Sequence, residues 1–398
     1  MIGPAVTGPF ALGAALAERE QANLLRRRIA TQGSVAGRLQ VAGRDYLNFS
    51  ANDYLGLADH PAIKAAFNAG IERYGAGSGA SPLVTGYSHA HQQLEETLAE
   101  WLGVEAVLLF NCGFSANQAV LKALLGKEHL LWQDKLNHAS LQEMGSQLPC
   151  KMKRFGHNDM AALERQLEPN RGLIVSEGVF SMDGDQGPWR DLATLAARSG
   201  NWLMIDDAHG LGVLGPEGRG TLAAQGVNPA CVHIQMGTFG KALGVAGAFV
   251  GGSRELVEYL VNFARHYVYS THMPAAQACA VSKSIELVRA ADEARAHLGQ
   301  LIARFRQGAK AQGWLLGASD TPIQPLLVGE SFAALQLAER LRECGVWVSA
   351  IRPPTVPVGT ARLRITLSAA HREQDVDRLL DALGVCPAAT TLGEAHYG

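Results

Sequence analysis

Cysteine is scarce and unpatterned in this chain. The six cysteines among 398 residues, at positions 112, 150, 231, 279, 344 and 386, include no Cys-x-x-Cys spacing. That argues against a disulfide-stapled secreted scaffold and against a cysteine-ligated zinc or redox motif, and the thiols read as reduced groups of a cytoplasmic protein. His89-Ala90-His91 has no cysteine or carboxylate at ligand spacing, so no metal is expected. Charge is also sparse: 18% of residues are charged and the net charge is -2. A single dense basic run, Arg26-Arg27-Arg28, is too short for a polyanion-binding tail, which excludes a nucleic-acid binder driven by electrostatics. Long apolar runs are missing as well. The mildly apolar stretch from Ile2 to Ala17 has no basic start and is broken by Gly3, Pro4, Gly8 and Pro9, so neither a signal peptide nor a membrane span is expected.

What is present is a globular, enzyme-like composition, 47% hydrophobic with 44 glycines. The length exceeds one ordinary core and predicts two packed regions plus a terminal segment. Residues 1–51 read as a helix (Ala11 to Ile29) and two short strands (Gly37 to Val41, Tyr46 to Phe49). Residues 52–285 alternate helices with buried apolar strands: Ala106 to Phe110, Leu130 to Gln133, Leu173 to Glu177, Trp202 to Asp206, Val232 to Met236 and Ala248 to Gly251. That alternation predicts an α/β fold, a mostly parallel central sheet with helices on both faces. A helical run from Met273 to about Gln312 leads into residues 286–398, a smaller C-terminal α+β domain. Its elements are a strand Ile323 to Val328, a helix Ser331 to Cys344, strands Trp347 to Ile351 and Arg362 to Leu367, and a helix Glu373 to Leu383. Ala388 to Gly398 reads as a loose tail.

In a parallel sheet, ligands bind beyond the C-terminal strand ends, so the residues just after each strand carry the functional signal. Five sets stand there. Asn111-Cys112-Gly113-Phe114-Ser115 joins a strand to a helix, a natural phosphate seat. Asp134 to Ser140 sets His138 where a flat imidazole can stack on an aromatic ligand. Gly178 to Gly184 places Ser181 on a tight turn. Asp206-Asp207-Ala208-His209-Gly210 offers a carboxylate and a histidine three residues apart. Gly237-Thr238-Phe239-Gly240-Lys241-Ala242-Leu243-Gly244 places one lysine among small residues, as an amine that must reach an aldehyde requires. Each set alone also has a bland reading, a cap or a solvated charge. Together they describe a pocket for pyridoxal 5'-phosphate (PLP), which needs its phosphate anchored, its ring nitrogen protonated and its aldehyde tied to a lysine. An NAD-binding reading fails, because Gly75-Ala76-Gly77-Ser78-Gly79 has the wrong glycine spacing and no clear strand before it.

From about Leu24 to Leu383 the chain resembles the α-oxoamine synthases, a branch of the aspartate-aminotransferase-type (fold type I) PLP enzymes. The likeness is carried by Tyr46 to Leu57, Gly77-Ser78-Gly79, Thr85-Gly86-Tyr87, His138-Ala139-Ser140, Val179 to Gly184, Asp206 to Gly210, the lysine segment and Ile351 to Pro357. It implies that Lys241 is the Schiff-base lysine and proton shuttle, and that Asp206 pairs with the ring nitrogen. Ser181 and His209 would flank the phenolic oxygen, and His138 would stack on the ring. Gly113, Phe114 and Thr238 would bind near the phosphate, with Thr271 reaching that of a neighbouring subunit in a homodimer. Arg352 would hold the amino-acid carboxylate with Thr355 nearby, and Arg26 would help bind the acyl substrate. Arg-Pro-Pro-Thr-Val-Pro at 352–357 points to the branch that joins L-alanine to a pimeloyl thioester of coenzyme A or an acyl-carrier protein, in biotin synthesis. The glycine-using and serine-using branches share the cofactor motifs and remain open on those motifs.

Overall fold

The computed structural model describes residues 10–35 and 37–386. The foreseen tail from Ala388 to Gly398 and residues 1–9 lie outside that range. Leu12–Gln21 is helical, shorter than the run expected to Ile29. The helix stops there because Asn23 takes a left-handed conformation (φ 56°), which asparagine tolerates at a helix end. Strands β1 (Ser34–Val35), β2 (Arg38–Val41) and β3 (Arg44–Asn48) follow, with β2 and β3 antiparallel across Ala42 and Gly43.

The central sheet contains β4 (Ala106–Phe110), β5 (Leu130–Asp134), β6 (Lys151–Phe155), β7 (Gly172–Glu177), β8 (Trp202–Asp206), β9 (Ile234–Thr238) and β10 (Ala248–Gly252). Their order is β4-β10-β9-β8-β7-β5-β6, and only β10 runs antiparallel to its neighbours. The C-terminal ends of β4, β5, β7, β8 and β9 therefore share one edge. Each interior strand buries both faces. In β8, Leu203 and Ile205 pack with Trp132, Ile174, Trp189 and Leu192, while Met204 packs on the opposite face with Leu173, Val175, Ala116 and Val120. Asp206 follows Met204 by two residues and so lies on the same face as the helix Gly113–Leu124, which covers it. Helix Trp189–Ser199 shows the reason such segments fold: Trp189, Leu192, Leu195 and Ala196 form one buried stripe beneath the sheet. Burial of each large side chain there contributes roughly 1.5–3 kcal/mol.

The run foreseen from Met273 to Gln312 is two helices, Ala275–Arg289 and Asp292–Ala311. The C-terminal region holds β11 (Ile323–Gly329), β12 (Val346–Trp347), β13 (Ser349–Ile351) and β14 (Ala361–Thr366), with helices Ser331–Glu343 and Glu373–Gly384. Trp347 to Ile351, expected as one strand, divides between two sheets. β12 pairs in parallel with β3, and β13 joins the antiparallel order β11-β14-β13. The N-terminal strands thus extend a sheet into residues 346–347.

Candidate active site

Register fixes who meets whom at the sheet edge. Glu177, Asp206 and Met236 lie side by side on β7, β8 and β9, and Thr238 is level with Ala248 and Phe110. Asp206 is buried; its Oδ2 accepts from Asn117 Nδ2 at 2.8 Å and its Oδ1 from the Ala208 amide at 3.1 Å. Asn117 comes from the second turn of the Gly113–Leu124 helix and also donates to Ser140 Oγ at 2.9 Å. Ser140 in turn meets His138 Nδ1 at 2.8 Å. One amide thus ties the acid to the histidine turn.

Lys241 Nζ lies 2.7 Å from His209 Nε2, and His209 Nδ1 lies 2.7 Å from Tyr54 Oη. Burial pulls the Lys241 amine down to about 8, against the opposing pull of Asp206 and Glu177, with Arg364 adding to the lowering. His209 is buried, and burial followed by the charges of Lys241 and Arg364 holds its imidazole well below the usual range. His138 is exposed at the mouth and is lowered by burial of its inner side and by Lys241, against Asp206. These are the conditions for an uncharged amine beside neutral imidazoles.

The sequence reading missed three groups. Arg364, on β14, is buried and donates from Nε to the Ser181 carbonyl at 2.6 Å and from Nη1 to Asn52 Oδ1 at 3.1 Å. It ties the Ser181 turn to the site. Glu177 is buried beside Asp206 with Oε1 unpartnered, and burial together with the Asp206 charge raises its carboxyl well above the usual range. Asp207 faces away from the lysine and accepts from the Thr221 amide at 2.7 Å and hydroxyl at 2.6 Å. A Cβ at Gly178 or Gly210 would come within 2.0 or 2.2 Å of Asp207 Oδ1, which explains why glycines flank the two motifs. In the sequence Arg364 is one of two arginines at alternate positions of the strand Ala361–Thr366, beside Ala361, Leu363, Ile365 and Thr366.

The remaining expected residues fall in two places. Gly113 and Phe114 open a twelve-residue helix whose first-turn amides have no capping side chain, and a Cβ on Gly113 would meet only Met236, at 3.6 Å. Thr238 ends β9 at the same edge, its hydroxyl donating to the Gly247 carbonyl at 2.8 Å. Thr271 is exposed, and its carbonyl accepts from Asn111 Nδ2 at 2.8 Å. Arg26, Arg352 and Thr355 form a separate group. Arg26 Nη2 donates to Thr355 Oγ1 at 2.9 Å, and Arg352 donates to the Asn23 carbonyl. With Leu24, Ala350, Ile351 and Pro353 they line a cavity of about 200 Å³. The arginine that the fold brings to Lys241 and Ser181 is therefore Arg364, while Arg352 stands with Arg26.

The edge as a whole fits PLP. An uncapped helix terminus suits a phosphate, and a buried carboxylate suits a protonated ring nitrogen. A half-buried amine of lowered basicity suits an aldehyde, and the buried Glu177 carboxyl, one of its oxygens unpartnered, lies beside them.

The family model described as aminotransferase class I and II matches residues 44–383. A relative from Aeromonas hydrophila described as 8-amino-7-oxononanoate synthase is 88% identical, covering 100% of both chains. A solved structure of SPT with a PLP internal aldimine superposes with a TM-score of 0.89 at 27% identity, over 94% of this chain and 96% of that one. A solved 8-amino-7-oxononanoate synthase from Francisella tularensis gives a TM-score of 0.76 at 28% identity, over 85% of this chain and 97% of that one.

Proposed function

The chain belongs to the aminotransferase class I and II family, and from that premise we propose that it joins L-alanine to a pimeloyl thioester with loss of carbon dioxide, giving 8-amino-7-oxononanoate in biotin synthesis. The observation that carries the reading is the Lys241–His209 contact at 2.7 Å beside buried Asp206, in a chain 88% identical to a relative bearing that activity's name. PLP, when bound, supplies an aldehyde for the amino acid and an electron-withdrawing ring that eases loss of the α-proton and of carbon dioxide.

Everything else is the work of the chain's own side chains. The Lys241 amine holds the cofactor and moves a proton off and back onto the α-carbon; an amine titrating near 8 is uncharged in a useful fraction at neutral pH. Asp206, fixed by Asn117 and the Ala208 amide, keeps the ring nitrogen protonated. His138 would cover one face of the ring, and Ser181 and His209 would hold its phenolic oxygen. The amides at Gly113 and Phe114 would hold the phosphate, with the Thr238 hydroxyl joining them by turning from the Gly247 carbonyl. Arg364 takes the amino-acid carboxylate, because it is the guanidinium packed against Ser181 and Asn52. Arg26 and Arg352, two cations with Thr355 around an adjoining cavity, hold the acidic acyl chain.

The working unit is a homodimer. Leu83, Val84, Tyr87 and Tyr269 are exposed on one monomer near Thr271, and a second copy would cover them. The compartment is the cytoplasm, which suits six free cysteines.

Product analysis tests the reading. Purified protein is given L-alanine or glycine with pimeloyl or acetyl thioesters, the pimeloyl group carried on coenzyme A or on an acyl-carrier protein. Alanine with a pimeloyl donor should give 8-amino-7-oxononanoate, and turnover of glycine but not alanine would refute the proposal. The visible spectrum of the PLP-loaded protein should lose its lysine-bound band in Lys241→Ala.

A further inference from the structure

We infer that Tyr54 is a positioning residue that locks His209 in the tautomer carrying its proton on Nδ1, so that a bare Nε2 lone pair faces Lys241. The phenol has one hydrogen to give and a neutral imidazole has one N–H. Tyr54 is fully buried, and its hydroxyl meets His209 Nδ1 at 2.7 Å, Asn52 Oδ1 at 3.2 Å and the Arg364 guanidinium, a pure donor that takes one of the phenol's lone pairs. An amide oxygen only accepts, so the Tyr54 contact to Asn52 uses the phenol's one hydrogen. His209 Nδ1 must then be the donor to Tyr54. A neutral imidazole carries one N–H, which leaves Nε2 as acceptor for the lysine amine 2.7 Å away. The opposite arrangement would set the phenol oxygen against the Asn52 oxygen, lone pair to lone pair, beside a fully buried phenol.

Arg364 holds the far end of the chain. Its Nη1 donates to the same Asn52 Oδ1 at 3.1 Å, and its charge lies beside Tyr54 and His209. That bond pins the Asn52 amide with its oxygen toward the phenol, so the order Arg364, Asn52, Tyr54, His209, Lys241 is one directed string. The guanidinium proposed to meet the substrate carboxylate thereby fixes, through two uncharged side chains, which nitrogen of His209 is free at the lysine. The inference rests on the reading of Lys241 and His209 as the reactive pair. Its own test is made without the cofactor, so that the two can fail separately.

The test is nitrogen NMR of the cofactor-free full-length protein, labelled at histidine and assigned with His209→Gln, at neutral pH. The wild type should show His209 with a protonated Nδ1 and an unprotonated Nε2. Tyr54→Phe keeps the ring and removes the hydroxyl, and should move His209 to the other tautomer or to a mixture. Asn52→Ala leaves Tyr54 intact but frees its hydrogen, and should do the same. In the loaded enzyme, kcat for either variant should fall about ten- to a hundredfold, as expected when a proton-transfer partner is misoriented. The KM for the acyl thioester should stay within about twofold, because neither residue lines its cavity. A wild-type His209 protonated on Nε2 overturns the inference. So does a tautomer unchanged in both variants, whatever their melting temperatures, because a purely structural phenol would lower stability and leave the imidazole alone. If the tautomer behaves as stated while product assays fail with alanine, the proposed function falls and the positioning role stands.

Discussion

His157 should make the stability of this protein depend on pH in a way that a single substitution removes. The ring stands between two carboxylates: Nδ1 is 3.1 Å from Asp134 Oδ1 and Nε2 is 2.6 Å from Asp185 Oδ2. Burial alone would lower its basicity, but the hydrogen bonds and charges of Asp134 and Asp185 outweigh burial and push it up to about 10. The unfolded chain returns it to about 6.5, a difference of roughly 3.5 units, and at about 1.4 kcal/mol per unit the clamp is worth up to roughly 5 kcal/mol. The ring is 21% exposed, and water reaching it trims the expected value to about 3–5 kcal/mol. Because the folded-state value is raised, the whole contribution is present below pH 6.5. It declines as pH climbs from there and is lost above about 10. His157→Gln leaves an uncharged side chain between the same carboxylates. Urea unfolding of wild type and variant, both cofactor-free, should therefore differ by about 3–5 kcal/mol at pH 6, by less at pH 8.5, and by little at pH 10. A difference that stays constant across that range would refute the charged clamp and reduce His157 to a packing residue. The consequence reaches the site: Asp134 also accepts from the amides of Leu136 and Asn158, each at 2.8 Å, so the clamp steadies the turn that carries His138.

Other outcomes follow from the same geometry. Arg364→Lys should raise the KM for the amino acid about tenfold or more, because lysine cannot match the planar fork, whereas Arg352→Lys should act on the acyl thioester instead; the reverse pattern in steady-state kinetics would return the carboxylate role to Arg352. Glu177→Gln should leave melting temperature and the spectrum of bound PLP nearly unchanged at neutral pH, because burial already keeps the Glu177 carboxyl protonated; a large loss in either would mean that the native group is ionised. In cofactor-free protein, reductive methylation of Lys241 followed by mass spectrometry should rise with pH around 8, well before ordinary surface lysines near 10.4; a midpoint near 10 would show that the amine is not desolvated.

The strand-end groups were legible because a parallel sheet converts sequence order into place. Lys241, Asp206, His138 and Thr238 each stand at or just beyond an apolar run, and parallel pairing brings all those ends to one edge. β6 was missed for the opposite reason. Lys151-Met152-Lys153-Arg154-Phe155 occupies an outer edge of the sheet, where charges guard the open hydrogen-bonding groups and hide the strand's apolar signal. β14 was foreseen within a residue, as Arg362 to Leu367, but the part its arginines play was not. Arginines at alternate positions suggest a solvent face, yet Arg362 and Arg364 are buried against the Ser181–Asp183 turn of a segment some 180 residues earlier. Nothing local encodes that meeting; it arises only when two separately folded sheets are set together. The same holds for Tyr54. A tyrosine in Asn52-Asp53-Tyr54-Leu55-Gly56 reads locally as a turn residue, and only the fold shows its hydroxyl 155 residues away in sequence from its partner, His209. Groups proposed to hold the cofactor stand in short strand-end motifs because one strand positions each of them. Groups that orient those residues come from other elements, so their chemistry becomes readable only once hydrogen-bond donors and acceptors can be counted across the interface.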